Sequence, residues 1–207
     1  MQTIQWKTGT AYDLFVSLAV LHEPTIFGLR PSWAAGVRQR IPAAKREVLE
    51  SVFSFSSVPL MWLSRLPEPG DARTALKAIE RLSPIESLEE LTLVADTTEE
   101  VRECLHNIAS TGSWTEAEIK ILKEQYRRRD SVLHPEILTR LVSIWSEPQR
   151  FATLFLEAIQ DYYQVFFAEE EVRIRPALLS GLEHAQELAT RMNLESLIEE
   201  LSHGIRF

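Results

Sequence analysis

Apolar positions in this chain recur every three to four residues over most of its length, the spacing that puts side chains on one face of an α-helix. Val101, Leu105 and Ile108 form one such set, and Leu138, Leu141, Val142 and Trp145 another. The longest run is Phe151, Leu154, Phe155, Ala158, Ile159, Tyr162, Val165 and Phe166. It leads into Glu169–Arg175, where Glu169/Arg173 and Glu171/Arg175 stand four apart in the order that favours ion pairing on a helix. This predicts a helix from Gln149 to Ile174, roughly 40 Å long at ~1.5 Å per residue, kinked or ended by Pro176. Leu178, Leu182, Ala185, Leu188, Ala189 and Met192 carry the pattern onward. Asn193 is placed to cap a last helix ending near Ser202.

Helix-start signals punctuate the same runs. Ser83-Pro84-Ile85-Glu86 has the form of a capping box with proline at the first helical position. Thr97-Thr98-Glu99-Glu100 and Thr115-Glu116-Ala117-Glu118 read the same way, and Ser146-Glu147-Pro148-Gln149 offers glutamine as the reciprocal partner. Gly70-Asp71 precedes a run with Leu76, Ile79 and Leu82. Only 7 glycines occur, and there is no Asn-Gly or Asp-Gly hairpin turn. Leu91–Val94 and Val52–Phe55 are the nearest approaches to strands. Leu66-Pro67-Glu68-Pro69-Gly70 reads as a loop rather than a linker. The prediction is an all-α, multi-helix bundle forming a single domain over 1–207.

Composition narrows the class. With 45% hydrophobic and 25% charged residues the chain can bury a sizeable core. The net charge of −8 argues against a dedicated nucleic-acid surface, which needs a basic face for phosphate. The charge is uneven: residues 1–50 carry six cations against four carboxylates, whereas residues 151–207 carry four against ten. Cys104 is the single cysteine, so no internal disulfide can form, as suits a cytoplasmic protein. The first residues lack a signal-peptide pattern, and no apolar run reaches the ~18 residues of a membrane span. A cytoplasmic, non-membrane protein is expected.

The motifs of common chemistries do not appear. His22, His106, His134, His184 and His203 are scattered, without the paired spacing of a metal site. Gly28 and Gly36 stand without the Gly-Lys-Ser/Thr of a phosphate loop, and no Gly-x-Ser-x-Gly occurs. Cys104 falls on the Val101/Leu105/Ile108 helix, where a buried thiol is inert packing. Glu169–Glu171 and Arg127–Arg129 spread around their helices, so most of each run should face water. No catalytic residue, metal or cofactor is assigned.

The aromatic set is more suggestive. Trp145, Phe151, Phe155, Tyr162, Tyr163, Phe166 and Phe167 follow one another along the long helix and its predecessor. Neither the adjacent pair Tyr162/Tyr163 nor the pair Phe166/Phe167 can face one core on a regular helix. Some of these rings must meet another helix, another subunit or a ligand.

Three stretches together resemble a known group. They are Gly9-Thr10-Ala11-Tyr12-Asp13-Leu14-Phe15-Val16-Ser17-Leu18-Ala19-Val20-Leu21-His22, then Phe27-Gly28-Leu29-Arg30-Pro31-Ser32-Trp33-Ala34-Ala35-Gly36-Val37, then Phe166-Phe167 through Arg173-Ile174-Arg175-Pro176, followed by Gly204-Ile205-Arg206-Phe207. The arrangement resembles the N-terminal helical region of ArsR-type winged helix-turn-helix transcriptional regulators. The resemblance implies a dimerisation or effector-sensing region, with DNA bound only through a winged helix absent from this chain. No basic recognition helix is present, and the abrupt ending at Ile205-Arg206-Phe207 suggests a piece of a longer regulator. The cysteine pairs and His/Asp clusters of metal-sensing members are missing.

The expected function is therefore regulatory: a homodimer that takes an apolar small-molecule effector. Tyr12, Trp33, Trp62, Tyr162 and Phe166 are the candidate lining, with Arg30 and Glu170 orienting a polar group. A protein–protein scaffold without ligand is the structural alternative. A helical enzyme with a site assembled from scattered residues is the catalytic one.

Overall fold

The computed structural model describes residues 4, 6–55, 58–128 and 135–202. Among these, every regular element is helical. In chain order they are α1 (Ala11–His22), α2 (Pro31–Arg38), α3 (Ala43–Phe55), α4 (Leu60–Ser64), α5 (Ala72–Arg81), α6 (Pro84–Thr92), α7 (Glu99–Thr111), α8 (Glu116–Arg128), α9 (Pro135–Ser146), α10 (Pro148–Tyr162), α11 (Ala168–Ala189) and α12 (Leu194–Leu201). A π-helical segment, Tyr163–Phe167, joins α10 to α11 without a break. The all-α, multi-helix reading holds. Leu91–Val94 forms the end of α6 and its exit, and Val52–Phe55 lies in α3.

Local chemistry explains several of the starts. Ser83 Oγ accepts from Glu86 N while the Glu86 carboxylate accepts from Ser83 N, a complete capping box with Pro84 behind it. Thr115 and Glu118 form a second box (2.6 and 3.3 Å). Asp71 Oδ1 accepts from Thr74 N at 2.8 Å, and Asn193 Oδ1 from Ser196 N at 2.9 Å. Two starts differ from the expectation. α7 is capped by Thr98 alone, because Thr97 turns its hydroxyl back to Val94 N. Ser146 ends α9 instead of opening α10, so Glu147 takes the cap position and forms no side-chain cap bond.

α10 is the central strut and packs against α3, α5, α6 and α9. It buries Phe151, Phe155, Ala158, Ile159 and Tyr162, as the periodicity predicts. α1 adds Leu14, Phe15, Leu18 and Leu21, all essentially inaccessible. On the other flank α7 lies against α8 and α9. There Trp145 donates its indole N–H to Thr92 Oγ1 at 3.1 Å, satisfying the one polar atom of a buried ring. Burying a side chain of this size stabilises by roughly 2–3 kcal/mol. One contiguous cluster joins α1 through α10 and the π segment.

Pro176 lies inside α11, so the helix passes through it rather than stopping. Proline removes the N–H that would reach the Val172 carbonyl. Val172 and residues 175–181 are exposed, so the freed carbonyl lies on the solvent side of the helix, where it need not be paired within the protein, and the helix continues. Charge pairing on α11 also differs in part: Arg175 reaches Glu171 at 3.3 Å as expected, whereas Arg173 pairs with Glu170 rather than Glu169. Among the described residues no helix is long and apolar enough to cross a membrane. Arg129, His134, His203 and Gly204–Phe207 lie outside the described residues.

Candidate functional site

The π segment is the local feature from which the site is built. One extra residue in a helical turn advances the register by about 100° relative to an uninterrupted α-helix. Tyr162, Tyr163 and Phe167 are consequently all buried, and Phe166 is half-buried. The neighbours that a regular helix would force apart thus reach different helices. Phe166 meets Trp33 edge-on at 5.6 Å and Tyr162 at 5.5 Å, while Tyr163 turns toward α5.

The same shift carries Glu171 inward. This carboxylate, only 5% exposed, is the one of the acidic run that turns inward, while Glu169 is exposed and Glu170 half-buried. Its Oε2 accepts from Tyr163 Oη at 2.7 Å, and Oε1 accepts from Thr10 Oγ1 and from Arg175 at 3.3 Å. Tyr163 Oη in turn accepts from Arg73 Nε at 3.0 Å, and Thr10 Oγ1 accepts from Ala72 N at 3.0 Å. A buried charge is stable only when its lone pairs are satisfied in this way. The network ties α11 to the first residues of α1 and α5.

Glycine closes the corner. Gly9 has a φ of +149°, and a Cβ there would sit 1.9 Å from the Gly70 carbonyl oxygen, so only glycine fits. Ala11 N donates to that same carbonyl at 3.1 Å. The segment 6–10 is thereby held against 69–71, and α11 passes alongside both.

A cleft of about 540 Å³ opens between these three pieces. Its walls are largely apolar, with Trp6, Pro69, Leu178, Leu182 and Ala185, and its charged groups are Lys7, Arg175 and Asp71, two cations against one carboxylate. Lys7 donates to the Ser64 carbonyl. Such a shape and lining suit a small organic molecule better than a polar metabolite. Leu178, Leu182 and Ala185 stand in the sequence as a core-type stripe. Their use as a cleft wall depends on Gly9 meeting Gly70, which no local pattern signals.

The seven residues singled out from sequence lie elsewhere. Tyr162 is fully buried and donates to Ser17 Oγ at 2.8 Å, and its hydroxyl pKa is raised by burial. Trp33, Phe166 and Tyr162 form one aromatic row, with Trp33 at its exposed end. Trp62 is buried edge-on against Phe15 at 5.8 Å. Tyr12 is half-buried against the core, Arg30 is exposed at the start of α2, and Glu170 pairs with Arg173. None of the seven lines the 540 Å³ cleft.

Cys104 and His106 are accounted for by their surroundings. Burial pushes the Cys104 thiol up to about 11, so it is protonated at neutral pH and weakly nucleophilic. His106 contacts Glu89 at 2.9 Å beside Arg102. Among the described residues no group of three His, Cys, Asp or Glu could hold a metal ion. Comparison with known protein families, curated proteins and solved structures returned no match.

Proposed function

We propose that this chain is a regulatory domain, of the kind found in ArsR-type transcriptional regulators, that binds an apolar small molecule and self-associates. The observation that carries the reading is the cleft between residues 6–10, 69–71 and α11. It is apolar enough to hold an organic ligand, and one wall is a helix whose far end bears α12. A ligand there touches the same helix that Glu171 ties to the core. Any preference of the ligand for one placement of α11 therefore shifts the α11–α12 unit, which is what regulation requires. The carboxylate in the cleft wall, Asp71, is already committed as the cap of α5, and Glu171 behind it is held by Thr10, Tyr163 and Arg175, which favours binding over acid–base catalysis.

Gly181 gives a clean test. It lines the cleft, lies inside α11, and a Cβ there meets nothing within 4 Å. Gly181→Phe should fill the cleft without disturbing the core. Titration of the apolar anion 8-anilinonaphthalene-1-sulfonate, followed by calorimetry, should show a one-to-one site in the native protein. That site should weaken at least about tenfold, ~1.4 kcal/mol, in the variant. Equal binding by both proteins would place the probe elsewhere and contradict the assignment.

A further inference from the structure

Two exposed apolar patches of opposite charge lie at different places on the molecule. The first is the turn between α1 and α2 with the start of α2. Ile26, Phe27, Leu29 and Trp33 are exposed there, Ile26 by 74%. The turn is held by its own bonds, Gly28 N to Thr25 O at 3.1 Å and Leu29 N to Pro24 O at 2.8 Å, so these side chains are presented by an ordered backbone. The turn opens on one exposed carboxylate, Glu23, and from residue 24 to 46 the sequence has five cations (Arg30, Arg38, Arg40, Lys45 and Arg46) and no further carboxylate. Only Lys45 has a carboxylate partner among the described residues, while Arg38 and Arg40 donate to backbone carbonyls. Arg40 reaches Val165, next to the Phe166 ring that Trp33 touches, and so belongs to this patch.

The second patch is α12. Leu194, Ile198 and Leu201 repeat at helical spacing and are all exposed, while Leu197 is the one residue buried against its surroundings. Glu195 and Glu200 flank this stripe on either side and are exposed, and the helix contains no cation. In one chain the two patches lie near opposite ends of α11. Trp33 packs beside Phe166, whereas α12 follows the far end of α11, roughly 33 Å away at ~1.5 Å per residue.

We infer that α12 of one copy docks on the turn and α2 start of a second copy, its leucine stripe on Ile26, Phe27, Leu29 and Trp33 and its carboxylates toward Arg30 and Arg40. This rests on the self-association part of the reading above and supplies the surface for it. An eight-residue helix alone covers little area, so the stable form is a reciprocal dimer in which the contact is made twice. The charges set partner and register, and the apolar side chains supply the affinity.

The experiment is a charge swap on the full chain followed by sedimentation equilibrium, with circular dichroism to check folding. The native protein should dimerise, more weakly at 500 mM than at 50 mM salt. Arg30→Glu/Arg40→Glu should weaken the dimer at least about tenfold, and so should Glu195→Lys/Glu200→Lys. An equimolar mixture of the two variants should recover native association, as should the protein carrying all four changes. Failure of the mixture to associate would overturn the inference. A dimer indifferent to every variant would overturn it too, leaving self-association through another surface. A native chain monomeric at high concentration would remove both, including the case in which the basic patch binds anionic lipid vesicles instead. The cleft titration reads independently of all three.

Discussion

At the scale of single residues, the buried polar groups define what the fold tolerates. His22, at the end of α1, places its Nδ1 2.8 Å from the Leu18 carbonyl and its ring 5.5 Å from Phe53, and its buried Nε2 has no partner. Burial lowers its pKa, with Arg38 adding to the effect and the Leu18 carbonyl, Glu50 and Glu23 opposing it. The folded state thus prefers neutral imidazole. As pH falls through ~6.5 the unfolded chain takes up a proton that the folded chain resists, so stability is full above that pH and declines below it. The slope cannot exceed ~1.4 kcal/mol per pH unit. His22→Leu should remove this component: urea unfolding at pH 7.5 and 5.5 should show a smaller acid-side loss in the variant than in the native protein. Parallel losses would show that His22 is not the group responsible. None of this was legible in the sequence, where His22 is one of five scattered histidines. Its burial follows from Arg38 closing over the end of α1, through bonds to the Leu21 and His22 carbonyls at 2.7 and 2.9 Å.

At the scale of elements, the sequence was most informative where side-chain periodicity and capping act locally. The buried faces of α7, α9 and α10 and the caps at Ser83, Thr115 and Asn193 follow from short-range chemistry, and the structure has them. The π segment could be read only as a conflict, in the adjacent pairs Tyr162/Tyr163 and Phe166/Phe167. Its resolution needed the neighbours: Arg73 for Tyr163, Trp33 for Phe166, and Thr10 for Glu171. A prediction belongs here. Gln164 is exposed within the π segment, and deleting it should restore a regular helix and rotate α11 by about 100°. That takes Glu171 away from Thr10 and Tyr163 and leaves buried polar groups unpaired. Thermal or urea unfolding should show a loss of about 3 kcal/mol or more, against less than ~0.5 kcal/mol for Gln164→Ala. Similar losses for the two would mean that the register set by the π segment is immaterial to the network.

At the scale of the molecule, α1 through α10 form a core with ordinary helical packing, and the α11–α12 unit extends from it with much of its apolar surface uncovered. The proposed cleft lies at the junction, and the proposed partner contact lies at the tip. The candidate residues chosen from sequence were bulky aromatics, since large rings make the most of any apolar site. The structure uses most of them to hold α1, α2 and α10 together. The cleft is lined instead by leucines of a stripe that reads as core, because burial of that stripe depends on contacts distant in sequence. If the molecule is a regulator, occupancy of the cleft must alter association through α11. The direct measurement is the dimer dissociation constant by sedimentation equilibrium, with and without saturating 8-anilinonaphthalene-1-sulfonate, in the native protein and in Gly181→Phe. The account predicts a shift of at least about fivefold, ~1 kcal/mol of coupling, in the native protein and none in the variant. An unchanged constant in the native protein, with the probe shown to be bound in the cleft, would contradict it.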